Sequence, residues 1–525
     1  MLALFKTIYM LINIHCAKCI GIDAVPILVE VDIATGIGIH LVGLADTAIK
    51  ESLLRTITAL QSMGFRIPGK KIVINLAPAD MHKKGSGYDV PIALGIIAAS
   101  GQRRLPHLEE YMIMGELGLD GTVRDIPGAL PIVKLAIQEG LKGCILPLKS
   151  ALEAVEFCDV DVYGVETLED VLRITEGENC TDLLACNRMP KVETESKFTM
   201  SDMDTMDFSE IIGQEGAKRG LEIAAAGGHN AILIGSPGSG KSSLAKALVG
   251  ILPPLSLGES VQTSMIYSVA GKGNSEGGLM KRRPFRAPHY SVSIPALLGG
   301  GSDSIMPGEI SLAHNGVLFA DEFCETPKRI LEALRAPMED RKVTISRLKS
   351  KVEFPADFML VAATNPCPCG FYGDGDRCTC TPSKRLAYIG KLSGPIMDRI
   401  DIQLFLRAID ARKLVERKPA ESSAEVAARV VAAREIQKAR FAGEGIFCNA
   451  AMTNRMIEKY CPLDSKCKKL LERIIENMGL SARACSRIIK LARTIADLSG
   501  APDILPEHIS EAASYRFLDK QNIFD

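Results

Sequence analysis

The 525-residue sequence has no tryptophan, no internal repeat, no low-complexity tract and almost no net charge. The missing tryptophan carries no functional information. A formal net charge of -1 gives the whole molecule no attraction to polyanions, so any nucleic-acid surface must be a local patch. No apolar run reads as a membrane span. The hydrophobic content of 47% is typical of globular proteins, and the length predicts roughly two to four domains.

The fifteen cysteines raise the possibility of a secreted disulfide scaffold, but that class needs a short chain and an export signal. The apolar stretch over residues 1–16 lacks a small-residue cleavage site and is too short to cross a bilayer. It is therefore predicted to be a first strand or helix. We expect a cytoplasmic protein with reduced thiols and no membrane partner.

Composition and periodicity divide the chain into four segments. The first alternates strands and helices, for example a strand over 71–76 and an amphipathic helix over 47–63. A polar, mildly acidic stretch without periodicity follows, which predicts a linker. The last segment is helical, with predicted helices over 423–441, 464–478, 481–498 and 506–515. The predicted domains are 1–173, the linker 174–207, a nucleotide-binding block 208–408 and a helical block 409–525.

The strongest motif is a phosphate-binding loop, GSPGSGKS, at residues 235–242. A buried strand is predicted before it and a helix over 243–248 after it, which is the context that this motif requires. Its glycines let backbone N–H groups turn toward phosphates, while Lys241 reaches the β- and γ-phosphates and the Ser242 hydroxyl reaches Mg²⁺. The predicted nucleotide-binding residues of the loop are Gly235, Ser236, Pro237, Gly238, Ser239, Gly240, Lys241, Ser242 and Ser243.

Two further strands end in polar residues. The run Gly316–Ala320 precedes Asp321 and Glu322, and the apolar residues 358–363 precede Asn365. Strands of a parallel sheet carry such residues to the edge beside the phosphate loop. There Asp321 holds the Mg²⁺ shell, and Glu322 polarises the attacking water. The sequence therefore predicts an ATP- and Mg²⁺-dependent hydrolase, although Asn365 by itself also suits a turn before Pro366.

This arrangement resembles the AAA+ ATPases, and the resemblance implies further roles. Asn365 falls at the sensor 1 position of that family. The segment SGPIMDRID resembles its arginine-finger segment, which implies that Arg399 reaches the ATP of a neighbouring subunit. The segment LSAR resembles sensor 2, which implies that Arg483 folds back from a helical lid to the γ-phosphate. A guanidinium suits both roles because it stays charged and binds phosphate bidentately, although either arginine by itself also suits a surface ion pair.

The segment IIGQ at 211–214 resembles the part of that family that packs on adenine, which implies contacts from Ile212 and Gly213. Between Lys241 and Asp321 the chain is much longer than a strand-helix-strand crossover requires. The extra residues, together with a strand-like stretch at 341–347, resemble the inserts of the magnesium-chelatase-like branch, in its YifB/ComM group. In that branch such elements line the central pore of a ring.

The first block resembles the Lon protease-like fold (ribosomal protein S5 domain 2-like, α+β) that this group carries at its N-terminus. Peptidase activity there needs a serine nucleophile and a lysine base within hydrogen-bond reach. Gly87 falls at the nucleophile position, the base position falls in the lysine-free stretch 129–132, and Ser86 and Lys134 are out of register. The resemblance therefore implies an inactive protease fold. Overall we expect an α/β chain: this domain, an AAA+ core with inserts, and a C-terminal helical lid.

Four cysteines form a C-x-C-x8-C-x-C pattern in a Gly/Asp-rich loop directly after Asn365: Cys367, Cys369, Cys378 and Cys380. Four thiolates on a short loop match a structural Zn²⁺ site, which closes tetrahedrally and stiffens a segment too small for a core. The alternative is a coincidental cysteine-rich loop. His289 and His314 lack ligand spacing and are assigned no metal.

Local charge suggests two nucleic-acid contacts. One cluster is Lys281, Arg282, Arg283 and Arg286; the other is Arg341, Lys342, Arg347, Lys349 and Lys351. Such runs are often solvated faces, but on the pore inserts of a ring they supply sequence-independent phosphate contacts. We therefore expect a homo-oligomeric, hexameric ATPase that moves DNA, selecting structure and not base sequence, with branch migration implied by the resemblance. The alternatives are a magnesium-chelatase motor subunit and an ATP-dependent protein-remodelling or protease-related ATPase.

Overall fold

The computed structural model consists of two large β-sheets with helices packed around them. The described residues are 11–43, 47–83, 85–157, 159–189, 206–274, 277–301, 305–347, 350–373, 377–392, 394–407 and 420–519. None of the helices in these ranges has the length and apolar character needed to cross a bilayer. The start of the predicted first block, residues 1–10, and of the predicted last block, up to 419, lie outside the described residues.

The first block is built on a mixed sheet. Its strands are β1 (Ile12–Ile20), β2 (Asp23–Ala34), β3 (Gly38–Val42), β4 (Lys71–Ala77), β5 (Tyr111–Ile113), β6 (Glu116–Leu117), β7 (Val123–Arg124), β8 (Gly143–Pro147) and β9 (Asp161–Val165). Its helices are α1 (Thr47–Ser62), α2 (Asp89–Ala99), α3 (Ala129–Gln138), α4 (Leu148–Leu152), α5 (Leu168–Glu176) and α6 (Ala185–Arg188). The large sheet has the order β3-β4-β2-β1-β5-β8-β9.

Alternation of buried and less buried residues explains why these segments form strands with one buried face. In β4, Ile72, Ile74 and Leu76 are fully buried, and the residues between them are only half-buried. Helix α2 is different, because its residues from Asp89 to Ile97 are buried all round. It therefore runs through the middle of the domain and forms the core of the block together with β1 and β2.

Ordered structure continues past the boundary expected at residue 173. Helix α5 runs to Glu176, and Leu184 forms a bridge with Tyr163 of β9. The Arg188 guanidinium donates to the Gly164 carbonyl at 2.9 Å. The polar composition of residues 174–188 predicts a linker, but these contacts attach that segment to the sheet. Residues 190–205, the rest of the expected linker, lie outside the described part of the chain.

The second block holds a five-stranded parallel sheet of order β11-β14-β17-β10-β18. The strands of this block are β10 (Ala231–Gly235), β11 (Phe285–Arg286), β12 (Gly299–Gly300), β13 (Met306–Pro307), β14 (Val317–Ala320), β15 (Lys342–Arg347), β16 (Ser350–Pro355), β17 (Met359–Thr364) and β18 (Ile402–Leu406). Its helices are α7 (Glu215–Gly227), α8 (Lys241–Val249), α9 (Leu257–Val269), α10 (Ile294–Leu298), α11 (Glu309–Leu312), α12 (Lys328–Asp340), α13 (Pro382–Ile389) and α14 (Gly394–Met397). Open parallel sheets bind ligands at the carboxyl ends of their strands.

The C-terminal helices pack on one face of that sheet. They are α15 (Ser423–Arg440), α16 (Asn454–Tyr460), α17 (Ser465–Met478), α18 (Ala482–Leu498) and α19 (Pro506–Ser514). Their apolar faces share one hydrophobic core with α7, β10 and β18. The Ser423 hydroxyl accepts from the Phe208 N–H at 2.9 Å, so the start of the second block is bound to the first helix of the third. The chain therefore has the mixed α/β architecture that the sequence predicts, with a parallel sheet in the second block and helices at the C-terminus.

The first block also contacts the long insert between the phosphate loop and Asp321. The Ser268 carbonyl of α9 accepts from the Gly128 N–H at 2.9 Å, and its hydroxyl accepts from the Leu130 N–H at 3.3 Å. The β1–β2 turn approaches the hairpin β15–β16, since a Cβ at Gly21 would lie 3.0 Å from Val352 Cγ1. The first block therefore contacts both inserts of the second block.

Candidate nucleotide-binding site

The phosphate loop lies between β10 and α8. Strand β10 is buried throughout, and α8 begins at Lys241. Gly238 and Gly240 have φ angles of 79° and 91°, which other residues rarely adopt, so the loop can curve its N–H groups inward. The loop therefore presents backbone donors and the first turn of a helix to the same space, an arrangement that suits bound phosphates.

Lys241 lies at the centre of this loop. Its Nζ donates to the carbonyls of Gly235 and Ser236 at 2.6 and 3.0 Å and lies 3.3 Å from Asn365 Oδ1. Burial lowers the pKa of the Lys241 ammonium, and the charge of Asp321 opposes that shift. The phosphate-loop lysine and the polar residue after β17 thus meet at one sheet edge.

The two acidic residues follow β14 at the same edge. The Ser242 Oγ lies 3.4 Å from Asp321 Oδ2, and both side chains are exposed. These two oxygens fit a single Mg²⁺, whose ligands lie at about 2.0–2.1 Å, when it arrives with a nucleotide. Glu322 has a left-handed backbone with φ 49°, and its N–H donates to Asp321 Oδ1 at 2.8 Å. This unusual conformation sets the direction of the Glu322 carboxylate at the edge.

The segment expected at the adenine is attached to the phosphate loop by Gln214. Its Nε2 donates to the carbonyls of Ser239 and Arg407 at 3.1 and 2.8 Å. Ile212 and Gly213, half-buried, precede it directly. Sequence reasoning named the segment but not this contact, because the partners of Gln214 are distant in the chain.

Arg399 lies at the amino ends of the parallel strands, whereas Lys241 lies at their carboxyl ends. It precedes β18, which is parallel to β10, whereas the phosphate loop follows β10. Its side chain is 13% exposed, donates to the Pro395 carbonyl at 2.7 Å and pairs with Glu339 of α12. A strand of this length spans about 16 Å. Arg399 is therefore remote from the phosphate loop of its own chain.

Arg483 lies near the same edge as Arg399. Ser481 caps α18, accepting from the Ala484 N–H at 3.2 Å, and the next turn carries Arg483. Its Nη1 is 3.8 Å from Asp398 Oδ2, and its side chain is 72% exposed. The motif predicts an arginine that folds back onto the γ-phosphate of its own chain. In the structure Arg483 lies beside Asp398, the residue before Arg399, and α18 packs along α7.

The four loop cysteines converge. Their sulfur atoms all lie within 4.8 Å of one another, with Cys367 Sγ 3.3 Å from Cys369 Sγ and 3.8 Å from Cys378 Sγ. Four sulfurs around a tetrahedral Zn²⁺, at about 2.3 Å each, are separated by roughly 3.8 Å. The geometry thus fits one tetrahedral zinc ion completed by Cys380.

The cysteine loop contacts the phosphate loop. Gly370 has a φ angle of 84°. A Cβ added at this residue would lie 3.0 Å from Pro237 Cδ and 3.9 Å from Asn365 Cγ. The adjoining aromatic residues are held by cations, with the Arg377 guanidinium 4.1 Å from the ring centre of Phe371. Whatever stiffens the cysteine loop therefore also supports the phosphate loop.

The expected nucleophile position of the first block is packed with apolar side chains. A Cβ at Gly87 would lie 3.0 Å from Met114 Cε and 3.6 Å from Ile126 Cγ2. Ser86 bonds to Glu116, and Lys134 pairs with Asp23 at 3.0 Å. The two candidate residues therefore have separate partners.

The basic clusters differ in their exposure. In the first, Arg283 pairs with Glu259 at 2.9 Å and Arg286 with Glu309 at 2.6 Å, so both guanidinia hold the insert together. The second lies on the hairpin β15–β16. There Arg341 and Lys342 pair with Asp357 and Glu353, both at 3.1 Å.

Two further cations of the hairpin are exposed. Arg347 and Lys351 are exposed on neighbouring strands, while Lys349 lies outside the described residues. Among the described residues, neither Arg347 nor Lys351 lies in an ion pair. The outer part of the hairpin is therefore its most available cationic surface.

Comparison with known proteins agrees with this geometry. The family model described as magnesium chelatase, subunit ChlI, matches residues 207–414, and its companions match 29–150 and, for the C-terminal part, 420–516. The YifB protein of Escherichia coli is 42% identical over 513 residues, 97% of either chain. The competence protein ComM of Haemophilus influenzae is 40% identical over 505 residues, 96% of this chain and 97% of that one. The chain belongs to the YifB/ComM family of magnesium-chelatase-like AAA+ ATPases.

Membership of the YifB/ComM family makes the chain an AAA+ ATPase and implies ATP and Mg²⁺ as its nucleotide and metal. The Lys241 and Ser242–Asp321 geometry suits both. A more distant similarity reaches the DNA replication licensing factor mcm6 of Dictyostelium discoideum, 26% identical over 345 residues, 59% of this chain and 34% of that one. That similarity is partial.

Proposed function

We propose that this chain is a subunit of a hexameric ring ATPase that moves along DNA and drives branch migration of recombination intermediates. ATP binds at the phosphate loop with Mg²⁺ between Ser242 and Asp321. Glu322 polarises the attacking water, and Asn365 helps to orient it. Hydrolysis at this site drives the motion of the pore inserts.

The position of Arg399 is the main observation that supports assembly into a ring. Arg399 lies at the amino ends of the strands, remote from the phosphate loop of its own chain. Only a second subunit can therefore bring this guanidinium to a γ-phosphate. Arg483 lies 3.8 Å from Asp398 at the same end of the sheet, and this proximity to Arg399 supports a role for both arginines at the neighbouring nucleotide. Arg399 must first leave Glu339, which is itself well exposed. A cationic group at this position stabilises the charge of the transferring phosphoryl.

The hairpin β15–β16 supports DNA as the substrate. Its Arg347 and Lys351 are exposed, so they can contact phosphates without reading bases. The name of one distant relative, a DNA replication licensing factor, mentions the same substrate class. In this proposal the first block is a Lon protease-like domain without peptidase activity that serves assembly or substrate contact. The four cysteines hold one Zn²⁺.

The test is DNA binding and DNA-stimulated ATPase by the purified full-length protein, on four-way and forked DNA at low salt. Arg347→Gln with Lys351→Gln should weaken binding to all sequences alike. It should also flatten the salt dependence by about one unit of slope per lost contact. Basal ATPase should persist, because neither residue touches the nucleotide site.

The matched control is Lys468→Gln with Lys469→Gln, which removes the same charge from the exposed face of α17. It should leave DNA binding within about twofold of the wild type. If the two double variants bind DNA equally, the hairpin is not the contact. If the ring neither binds branched DNA nor gains ATPase activity from it, the DNA motor is wrong.

A chelatase motor subunit is the second candidate, since the matching family model carries that description. The first block does not decide against it, because residues 29–150 match a model with the same description. The zinc-type cysteine loop weighs against it, as a feature that we do not expect in that subunit. Magnesium insertion into a porphyrin, supported by the purified ring together with its chelatase partners, would favour it.

A further inference from the structure

The dipeptide His229–Asn230 joins three segments of the nucleotide site. It immediately precedes β10, whose other end is the phosphate loop. The Asn230 carbonyl accepts from the N–H groups of Asp401 and Ile402, both at 3.0 Å. Its side chain uses both of its polar atoms: Nδ2 donates to the Arg399 carbonyl at 2.9 Å, and Oδ1 accepts from the Leu360 N–H of β17 at 2.8 Å.

His229 binds the same segment from its other side. The imidazole is fully buried. Its Nδ1 lies 3.1 Å from Asp401 Oδ2, and its Nε2 lies 2.8 Å from the Thr494 hydroxyl of α18. Arg487 of α18 pairs with the other oxygen of Asp401. The residues on either side of Ile400 are thus both held, Arg399 through its carbonyl and Asp401 through its carboxylate.

These contacts fix a backbone, not a guanidinium. The Arg399 side chain has only Glu339 and a carbonyl as partners, and its Nε has none among the described residues. The side chain can therefore turn outward while its backbone stays in place. The position from which it turns is set by Asn230.

The same contacts connect the two ends of β10. A displacement of the phosphate loop along this strand reaches Asn230, about 16 Å away. From there it passes to Arg399 through the side-chain amide and to Asp401 and Ile402 through the Asn230 carbonyl. The bond to Leu360 lies on β17, which leads to Asn365. The two residues that face a subunit's own γ-phosphate are thus connected to the arginine that faces the neighbour.

We propose that Asn230, supported by His229, is a positioning residue for Arg399, and that it relays the state of one nucleotide site to the next. The inference rests on the proposed role of Arg399 at the neighbouring ATP. Neither residue touches the nucleotide. Their effect on hydrolysis acts through the backbone of Arg399.

Asn230→Asp is the selective test, because a carboxylate keeps the acceptor for Leu360 but loses the donor to Arg399. In purified rings kcat should fall about tenfold. The affinity for ATP, measured in the Glu322→Gln background, should stay within about twofold of the wild type. The double variant with Arg399→Ala should be no slower than Arg399→Ala alone, since one residue acts through the other.

Mixed rings give a second readout. Asn230→Asp subunits mixed with Lys241→Ala subunits should recover part of the activity, because some interfaces then pair an intact phosphate loop with a well-placed arginine. A role in the stability of the subunit would not produce this recovery. Thermal unfolding and ring mass are measured on every variant. If Asn230→Asp does not assemble, the isosteric Thr494→Val replaces it. This variant removes the hydrogen-bond partner of His229 Nε2. The same measurements of kcat, ATP affinity and non-additivity with Arg399→Ala are then made on it.

The outcomes separate the two proposals. If Arg399→Ala keeps wild-type turnover, the arginine has no catalytic role and the inference about Asn230 fails with it. If Arg399→Ala is slow but Asn230→Asp is not, or if their effects add, the role at the interface stands and the positioning inference is overturned.

Discussion

The approach of the cysteine loop to the phosphate loop predicts that a methyl group at Gly370 weakens ATP binding. Gly370 has φ 84°, and a Cβ there would lie 3.0 and 3.2 Å from Pro237 Cδ and Cγ. Alanine in the left-handed region costs about 1 kcal/mol. The crowded contact displaces Pro237 by a few tenths of an ångström, so the total cost is about 1–2 kcal/mol.

Pro237 belongs to the phosphate loop, so its displacement moves backbone N–H groups away from the positions that suit bound phosphates. Gly370→Ala should therefore bind ATP roughly 5- to 30-fold more weakly. The assay is titration with a fluorescent ATP analogue, with Glu322→Gln in every protein to prevent hydrolysis. The control is Gly443→Ala, where φ is 83° but no atom lies within 4 Å of the new Cβ. It carries the same backbone strain without the contact and should bind ATP normally.

Metal content identifies the cause of the loss. Gly370→Ala should keep its bound zinc, since the sulfur atoms are not altered. If both glycine variants bind ATP within twofold of the parent, the two loops are not coupled. If both lose affinity equally, the loss reflects general strain and not the contact with Pro237.

Three further predictions concern other groups. Lys241→Ala should lose ATP binding because the phosphate charge is left unpaired, whereas Glu322→Gln should bind ATP and hydrolyse it very slowly. Nucleotide titration and single-turnover kinetics distinguish the two variants. An equal loss of ATP affinity in both would contradict the assigned roles. Elemental analysis should find one zinc per subunit, absent after Cys378→Ser with Cys380→Ser; an unchanged zinc content contradicts the site. Burial lowers the pKa of His314 to about 4, so the folded chain resists a proton that the unfolded chain accepts near pH 6.5. The fold should therefore lose about 2 kcal/mol between pH 7 and 5, seen as a fall in Tm that is smaller in His314→Asn.

Motifs on contiguous residues were predictable from the sequence. The phosphate loop, the acids after β14 and the cap at Ser481 each depend on a few neighbouring residues, and the strand and helix bounds follow from periodicity. The sequence also predicts the strand-like stretch at 341–347, which the structure contains as β15. It does not reveal that Arg341 at its base pairs with Asp357, because charge runs look alike whether they are exposed or paired.

The remaining features depend on how distant segments meet. Nothing near Arg483 in the chain indicates that α18 brings it to Asp398, and nothing near Arg399 indicates Glu339. The polar stretch 174–188 lacks periodicity, yet its few contacts with β9 are enough to order it. His229 and Asn230 precede the most recognisable motif in the chain, but their roles are visible only once β17, β18 and α18 are in place.

The contacts of the first block with Ser268 and Val352 have a mechanical consequence. If the hairpin moves when ATP is hydrolysed, the first block must either move with it or break contacts with α9 and β16 at each cycle. Because β1 and β2 belong to a large buried sheet, bodily motion is the less costly course. A fluorophore on the outer surface of the first block would then report movement of the hairpin from a position remote from the nucleotide site.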